Sequence, residues 1–351
     1  MKPSARRLLR GMLLYALLFA AALAFLLNRL DARLAAFEAS RPENVIARYL
    51  ETLDDGEIDA WTADTVAALN TRLMPEAECR ERLRAAVRQA ECLRSGETSF
   101  VLADGDRALV HLRLEPDGEG PYGLTQYRVT ASDIDFSPLC HSAQAVVPAD
   151  WTVLCGGVPL GEDCVAAADI PYALLKEFYD SEELALPYLR RYDTGLLLTE
   201  PELSFLDGEG RAAEPDEERF ADNCPADEAA EMADFSELFL RRYITYASNA
   251  TQNIAGNYQR LEELMVMGST LQKRMRYAVA GLTWSSSRRD TLQEIEIRHL
   301  MKLGEGLYLC DLGYTVETVG QRGAVLTQNN LKLIASRADD GRLLMAAMSS
   351  Y

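Results

Sequence analysis

Apolar residues follow three different patterns along the chain. Residues 11–27 form an uninterrupted apolar run without a charge. Two later blocks, 42–138 and 231–351, begin with apolar residues at helical spacing and continue with apolar residues at alternate positions. A period near 3.6 is typical of a half-buried helix, and a period of two is typical of a half-buried strand. The pattern therefore predicts one long apolar helix and two blocks that mix helices with strands.

Block 42–138 predicts three helices followed by a sheet. Pro75 lies where the third helical stripe begins, and Gly96 lies where it ends. Residues 107–115 then alternate between apolar and polar, and residues 122–136 supply a further strand. The polar face of the alternating strand carries His111, which we expect to be solvated.

Block 231–351 repeats this order. Three helical stripes are followed by strand candidates at 291–303, 307–318, 324–336 and 342–349. The segment 291–303 is ambiguous, because its apolar positions also fit a helix. Three helices before an antiparallel sheet, twice over, predict an α+β fold in which each curved sheet wraps its helices.

The segment between the two blocks has a different chemistry. Residues 151–160 predict a tight hairpin in which Gly156 and Gly157 take the positive-φ turn positions. Pro159 then confines the second arm to a sheet edge. We expect a small β-rich middle module over 139–211. Residues 212–230 are rich in acids and contain two prolines, which is typical of a linker.

The apolar run 11–27 predicts a transmembrane anchor. With Leu8 and Leu9 included, a rise of about 1.5 Å per residue gives roughly 30 Å, the thickness of the hydrocarbon layer. Four cations lie in the cytoplasmic tail, residues 1–10, and resist translocation. The N-terminus is therefore expected in the cytoplasm. Residues 28–41 predict a juxtamembrane helix, with the body beyond it outside the cell membrane.

A cleavable signal peptide is the alternative to an anchor. The sequence Ala22-Leu23-Ala24 offers small residues at the positions that a signal peptidase reads. This site lies inside the apolar run, however, and three more apolar residues follow it. The anchor is therefore the interpretation that the sequence favours.

Charge limits the partners of the body. The chain has a net charge of −18, and residues 42–351 hold 29 basic against 52 acidic residues. Such a surface repels phosphate backbones, so we expect no nucleic-acid partner. The predicted partners are the cytoplasmic membrane, through residues 11–27, and a protein of the cell envelope.

The order of elements resembles that of a known superfamily. Blocks 42–138 and 231–351 look like NTF2-like domains, the cone-shaped fold of ketosteroid-isomerase-like and SnoaL-like proteins. The hairpin around Gly156-Gly157 is similar to PEGA-like β-modules, although those usually carry Asn-Gly at the turn. The whole chain resembles membrane-anchored bacterial proteins in which such domains are strung together. The resemblance implies an extracytoplasmic envelope protein, and it implies no reaction.

Four residues are candidates for a ligand pocket in the C-terminal block. If 291–303 is a strand, His299 shares a face with Ile295, Ile297 and Met301, which in an NTF2-like cone points into the pocket. Three further candidates are aromatic: Tyr308, Tyr314 and Trp284. In each case the pattern favours a core residue over a ligand-binding one.

Chemical motifs are otherwise missing from the sequence. The seven cysteines include no C-x-x-C pair, and we expect buried thiols, with a disulfide among Cys140, Cys155 and Cys164 as the alternative. We found no nucleotide-binding, serine-hydrolase or zinc-protease signature. We therefore expect no catalytic residues, cofactor or metal, and predict a non-catalytic interaction or scaffold protein. The alternative is a small-ligand binder or isomerase-like enzyme that uses the C-terminal pocket.

Overall fold

The computed structural model describes residues 3–216, 220, 223–248, 253–281, 289–320 and 323–351. The chain divides into two compact units. The first unit comprises Met1–Ser142 and Gly195–Pro201, and the second comprises Ala143–Thr194 and Glu202–Tyr351. Residues 143–194 therefore share a unit with the C-terminal block, whereas the sequence predicted a separate middle module.

The apolar run forms the first part of a long helix, α1 (Pro3–Ser40), which continues without a break through the predicted juxtamembrane helix. It ends where Arg41 adopts an extended backbone before Pro42, because proline disfavours the helical conformation of the preceding residue. Within the described residues, Met12–Ser40 is the one helix long and apolar enough to cross a membrane.

The first unit continues with three helices and a four-stranded antiparallel sheet. Asp54 caps the second of these helices by accepting a hydrogen bond from the backbone NH of Glu57 at 2.8 Å. The strands follow one another in the order β1-β2-β3-β4. The elements are α2 (Pro42–Thr52), α3 (Asp55–Ala68), α4 (Glu76–Gln89), β1 (Glu91–Arg94), β2 (Ser99–Asp104), β3 (Arg107–Glu119) and β4 (Thr125–Ser132).

The second unit opens with seven short strands that form two sheets. β5 (Gln144–Pro148), β8 (Val165–Pro171) and β9 (Tyr188–Asp193) pair in the order β5-β9-β8. The other sheet has the order β11-β10-β6-β7 and consists of β6 (Thr152–Cys155), β7 (Val158–Pro159), β10 (Leu203–Leu206) and β11 (Ala212–Ala213).

The predicted hairpin is confirmed in this second sheet. Gly156 and Gly157 have φ values of 56° and 81°, which suit the turn between β6 and β7. Pro159 lies on the edge strand, as its missing NH requires.

The C-terminal block of the second unit confirms the predicted α+β order. Three helices precede a four-stranded antiparallel meander, and the ambiguous segment 291–303 belongs to a strand. The first of these helices begins at Ala226, inside the range predicted as an acidic linker. The elements are α5 (Ala226–Ala247), α6 (Ile254–Glu262), α7 (Thr270–Gly281), β12 (Arg289–Gly304), β13 (Leu307–Gly320), β14 (Gly323–Arg337) and β15 (Leu343–Ser350).

Both faces of the C-terminal sheet are covered. One face, here called the helix face, packs Cys310, Leu312 and Leu333 against Phe239 and other residues of the three helices. The opposite face, here called the outer face, packs against a 3₁₀ helix over Ala173–Phe178. Its core joins Leu175 and Phe178 to Met301, Leu309 and Ile334.

Candidate functional site

Two of the predicted pocket residues lie on the helix face of β13. Tyr308 and Tyr314 point the same way as Cys310 and Leu312, as the alternation predicted. Tyr308 is only 3% exposed, and Cys310 and Leu312 have no exposed surface. Core side chains therefore fill this part of the face, and Tyr314 is half-buried at its margin.

His299 does not join these tyrosines, so the prediction that it shares a face with Ile295 and Ile297 is wrong. β12 carries a bulge between Ile297 and His299, which inserts Arg298 as an unpaired residue. One extra residue shifts the alternation of the side chains that follow it, up to the next irregularity in the strand. His299 consequently pairs with Asp311 and lies on the outer face together with Met301.

The fourth candidate, Trp284, lies outside the described residues. Of the remaining three, two are on the helix face and one is on the outer face. The structure thus does not bring the predicted residues together into one pocket.

Charged side chains surround the buried edge of Tyr308. The guanidinium of Arg337 lies 5.7 Å from the centre of the Tyr308 ring and donates hydrogen bonds of 3.0 and 2.6 Å to Glu231. The hydrogen bond to Glu231, followed by that to Tyr308, raises the pKa of Arg337. Nearby, Lys302 Nζ donates to Glu228 at 2.9 Å. Each of these cations is matched to a carboxylate of α5.

The outer face carries a second polar cluster around Lys332. Lys332 is 5% exposed, and its Nζ donates to both carboxylate oxygens of Glu177 at 3.0 Å. Burial alone would raise the pKa of Glu177, but hydrogen bonds from its own backbone and from Lys332 outweigh burial and lower it. The pair joins β14 to the 3₁₀ helix that covers this face.

Asp311, the cross-strand neighbour of Lys332, has partners of its own. Arg298 Nη2 donates to Asp311 Oδ1 at 2.8 Å, and the Tyr351 hydroxyl donates to the same oxygen at 2.8 Å. Burial and the hydrogen bond to Asp311 raise the pKa of Tyr351 to about 12. Lys332 Nζ also lies 4.7 Å from the centre of the Tyr351 ring.

In this cluster each carboxylate is paired with a cation, Glu177 with Lys332 and Asp311 with Arg298. Both acids, Glu177 and Asp311, already accept hydrogen bonds from a cation, and the phenol of Tyr351 stays protonated at neutral pH. General acid or base catalysis requires a group whose pKa lies near the operating pH. The sequence did not reveal this cluster, because its members lie far apart in the chain. The 3₁₀ helix, β12, β13 and β14 each contribute one residue, and Tyr351 follows β15.

Burial raises the pKa of six of the seven cysteine thiols, which is the opposite of the shift that activates a nucleophile. Cys79, Cys92, Cys140, Cys155, Cys224 and Cys310 form no disulfide bond. Burial raises the pKa of the Cys155 thiol and raises that of Cys310 to about 11. Reactive cysteines have a lowered pKa instead. In the described ranges, no group of three or more His, Cys, Asp or Glu residues could hold a metal ion.

A cleft of about 830 Å³ opens in the second unit, away from the predicted pocket. Aromatic rings form its wall, with Trp151 and Phe220 packed edge to face at 5.1 Å. Its rim carries exposed acids, among them Asp150 and Glu209. Other lining residues include Tyr172, Tyr188, Asp207, Arg211, Glu214 and Lys302.

The cleft borders the free edge of β12, and Asn223 closes that edge. The Asn223 side chain accepts from the backbone NH of Lys302 at 2.7 Å and donates to its carbonyl at 3.2 Å. A carboxamide placed in this way mimics the partner strand of an antiparallel ladder. The sequence patterns did not predict this cleft, although Trp151 begins the predicted hairpin.

Comparison with known proteins gives only weak structural likenesses. No protein-family model matches the chain, and no curated protein matches it. A solved Ntf2-like protein involved in plasmid conjugation is 9% identical, with 74% of each chain covered and a TM-score of 0.26. A protein from Catenulispora acidiphila is 14% identical over 36% of this chain and 93% of that one, with a TM-score of 0.25. Aln2 from a Streptomyces species is 11% identical over 36% and 91%, with a TM-score of 0.24. Likeness of this extent supports no statement about function.

Proposed function

We propose that the chain is a single-pass membrane protein whose body lies outside the cytoplasm and acts as a non-catalytic interaction or scaffold protein of the bacterial envelope. One observation carries the proposal. The window of α1 that is long and apolar enough to span a membrane has none of its residues buried against the rest of the chain. So large an apolar surface is stable in lipid and would be a liability in water.

The orientation follows from the charges that flank α1. Lys2, Arg6, Arg7 and Arg10 precede the apolar run, whereas the body beyond it is strongly acidic. Cations next to a span are retained in the cytoplasm. In this proposal Met1 lies inside the cell, and the part of the first unit beyond α1 and the whole second unit lie outside it.

The non-catalytic role is supported by how the polar groups are used. On the outer face of the C-terminal sheet the charges of Lys332 and Asp311 are matched to opposite charges. An isomerase-like enzyme would instead need a carboxylate base and a proton donor inside an open apolar pocket. Around Tyr308 the helix face is filled by Phe239, Leu240 and Leu312. This packing disfavours the alternative function.

We assign the partner surface to the cleft beside Trp151. Its aromatic wall suits apolar side chains, and the exposed Asp150 on its rim suits a basic residue beside them. The rim acids Asp207 and Glu209 already pair with Arg211. An extended polypeptide segment that carries lysine or arginine fits both features. The proposed occupant is therefore a basic segment of another envelope protein.

Topology can be tested through an exposed native thiol. Cys92 is exposed in the first unit. A membrane-impermeant maleimide should label it in intact cells, and Cys92→Ser should remove that labelling. In that background a cysteine placed in the N-terminal tail, Ser4→Cys, should react only after the cells are permeabilised. Labelling of Ser4→Cys in intact cells would contradict the orientation, and recovery of the chain in the soluble cytosolic fraction would contradict the anchor.

The partner surface can be tested by site-specific photocross-linking. A photoreactive amino acid at Glu209, on the rim of the cleft, should capture a discrete envelope protein in living cells. The matched control is Asp339, which is also exposed but does not line the cleft. The same adducts at both positions, or none at Glu209, would contradict the assignment.

A further inference from the structure

From Leu27, the last residue of the apolar run, α1 carries a stripe of large apolar side chains that nothing in the described first unit covers. Leu27, Leu30, Leu34 and Phe37 are 52%, 53%, 52% and 54% exposed. Phe37 lies ten residues after Leu27. At about 1.5 Å per residue this places it roughly 15 Å beyond the end of the charge-free run, outside the hydrocarbon. Lipid therefore does not account for the stripe.

The spacing of the stripe is that of a coiled coil. Successive members are separated by three, four and three residues, which is the alternation of a and d positions in a heptad. The same register continues back into the membrane span without a polar residue. Its a and d positions are Leu13, Ala16, Ala20, Leu23, Leu27, Leu30, Leu34 and Phe37.

The first unit uses a different side of the helix. Ala36, Ala39 and Ser40 are half-buried and line a cavity together with residues of α2 and β4. In the heptad numbering they occupy c, f and g, and f lies directly opposite the a and d seam. The body of the unit therefore leaves the apolar seam accessible to another helix.

Charges beside the seam select the partner. Arg33 occupies a g position, and Glu38 occupies the e position five residues later. In a parallel two-stranded coiled coil, a g residue faces the e residue of the following heptad on the other chain. Arg33 of one copy would thus face Glu38 of the other, and the symmetry of the pair would form this contact twice.

We infer that α1 pairs in parallel with α1 of a second copy of this chain, through the seam from Leu13 to Phe37. The parallel direction rests on the proposed membrane function, because two copies inserted in the same orientation have their N-termini on the same side. The seam itself rests only on the exposed stripe, its heptad spacing and the complementary charges. The inference adds a homodimer to the proposed envelope protein.

Disulfide cross-linking of the full-length protein in its membrane tests the seam. The background is Cys92→Ser, which removes the exposed native thiol. Single cysteines at seam positions, Leu30→Cys and Leu34→Cys, are compared with Ala32→Cys and Ala35→Cys on the outer side of the same helix. Under mild oxidation the two seam variants should form covalent dimer at least about fivefold faster than the controls, because a and d side chains meet across the pair. Equal rates at all four positions, or no dimer at the seam, would overturn the inference.

Charge exchange tests the same seam without cysteines. Arg33→Glu alone should lower the dimer equilibrium constant in detergent about tenfold, since two attractive contacts become repulsive. Adding Glu38→Arg should restore it. Failure of the exchange to restore pairing counts against the parallel register.

The outcome for the anchor is separable from the outcome for the seam. If the chain resists alkaline extraction from membranes but shows no seam-selective dimer, the seam is wrong and the anchor stands. If seam-selective dimers form in a chain that is extracted with alkaline buffer, the seam stands and the anchor is wrong.

Discussion

Two of the four-stranded sheets of this chain, β1–β4 and β12–β15, are antiparallel meanders with different surroundings. In the first unit, β3 buries Leu112 and Leu114 while His111 and Arg113 remain exposed. In the second unit, the central part of β14 is buried on both sides. One sheet therefore has a solvated face, and the other lies between its helices and the segment 143–194.

This difference is recorded in the sequence pattern of the strands. A strand with one wet face alternates, as β3 does, whereas a strand buried on both faces carries a nearly continuous apolar run. Residues 331–335 of β14 are all buried, and Lys332 is the one charged member of that run. A continuous apolar run interrupted by a single lysine thus corresponds to a second covering layer and a buried charge, neither of which was predicted from the sequence.

The largest expected effect comes from truncating the covered outer face. Ile334 has no exposed surface, so Ile334→Ala should lower the free energy of unfolding of the second unit by about 2–5 kcal/mol. The matched change on the wet face of the first sheet, His111→Ala, should change it by less than about 0.5 kcal/mol. Hydrogen exchange read peptide by peptide on the full chain reports each unit separately. Equal losses of stability from Ile334→Ala and His111→Ala would contradict the conclusion that both faces of the C-terminal sheet are covered.

The next effect concerns the charge inside the covered face. Glu177→Ala leaves Lys332 buried without its carboxylate partner and should cost about 1–3 kcal/mol. Glu177 itself is one-third exposed, so water can replace part of the lost contact. The double variant Glu177→Ala/Lys332→Met should recover most of the loss, because a well-packed methionine needs no partner. If Lys332→Met alone were as damaging as Glu177→Ala, the pair would not be the cause.

Sequence patterns located the helices and the strands well, because burial on one face leaves a periodic trace. The alternation of β13 correctly predicted that Tyr308 and Tyr314 lie on one face. Gly156-Gly157 correctly marked the turn of the hairpin formed by β6 and β7. Patterns failed at His299. A bulge of one residue at Arg298 carries no local signature, yet it puts His299 and Met301 on the face opposite to that of Ile295 and Ile297.

Contacts between distant segments were equally hidden from the sequence. The partner of Lys332 lies 155 positions earlier in the chain, in a 3₁₀ helix that no periodicity marks. The cleft beside Trp151 likewise depends on how separate turns meet. Local patterns report which face of an element is buried, and they do not report what buries it.

A smaller effect is expected on how much stability the second unit loses at acid pH. The pKa of Glu177 is lowered below its ordinary value of 4.5, so its folded state favours the carboxylate. The sign follows: the stabilisation is full above about pH 4.5 and is lost as the pH falls through the lower folded pKa. Lys332→Met removes a cause of the shift, and should therefore make the second unit lose less stability between pH 7 and pH 3. Chemical denaturation of the unmodified chain and of Lys332→Met at pH 7 and pH 3 checks this prediction. A larger loss of stability in Lys332→Met would contradict it.

The smallest effect is expected for the corresponding ion pair on the wet face. Arg128 and Glu115 lie directly opposite each other on β4 and β3, with an Arg128 Nη2–Glu115 Oε2 distance of 3.1 Å. Both side chains are well exposed, at 64% and 45%, so water competes for each charge. Arg128→Ala should lower the free energy of unfolding of the first unit by less than about 0.5 kcal/mol. A loss similar to that of Glu177→Ala would mean that the first sheet is also covered, since only burial makes a broken ion pair so costly.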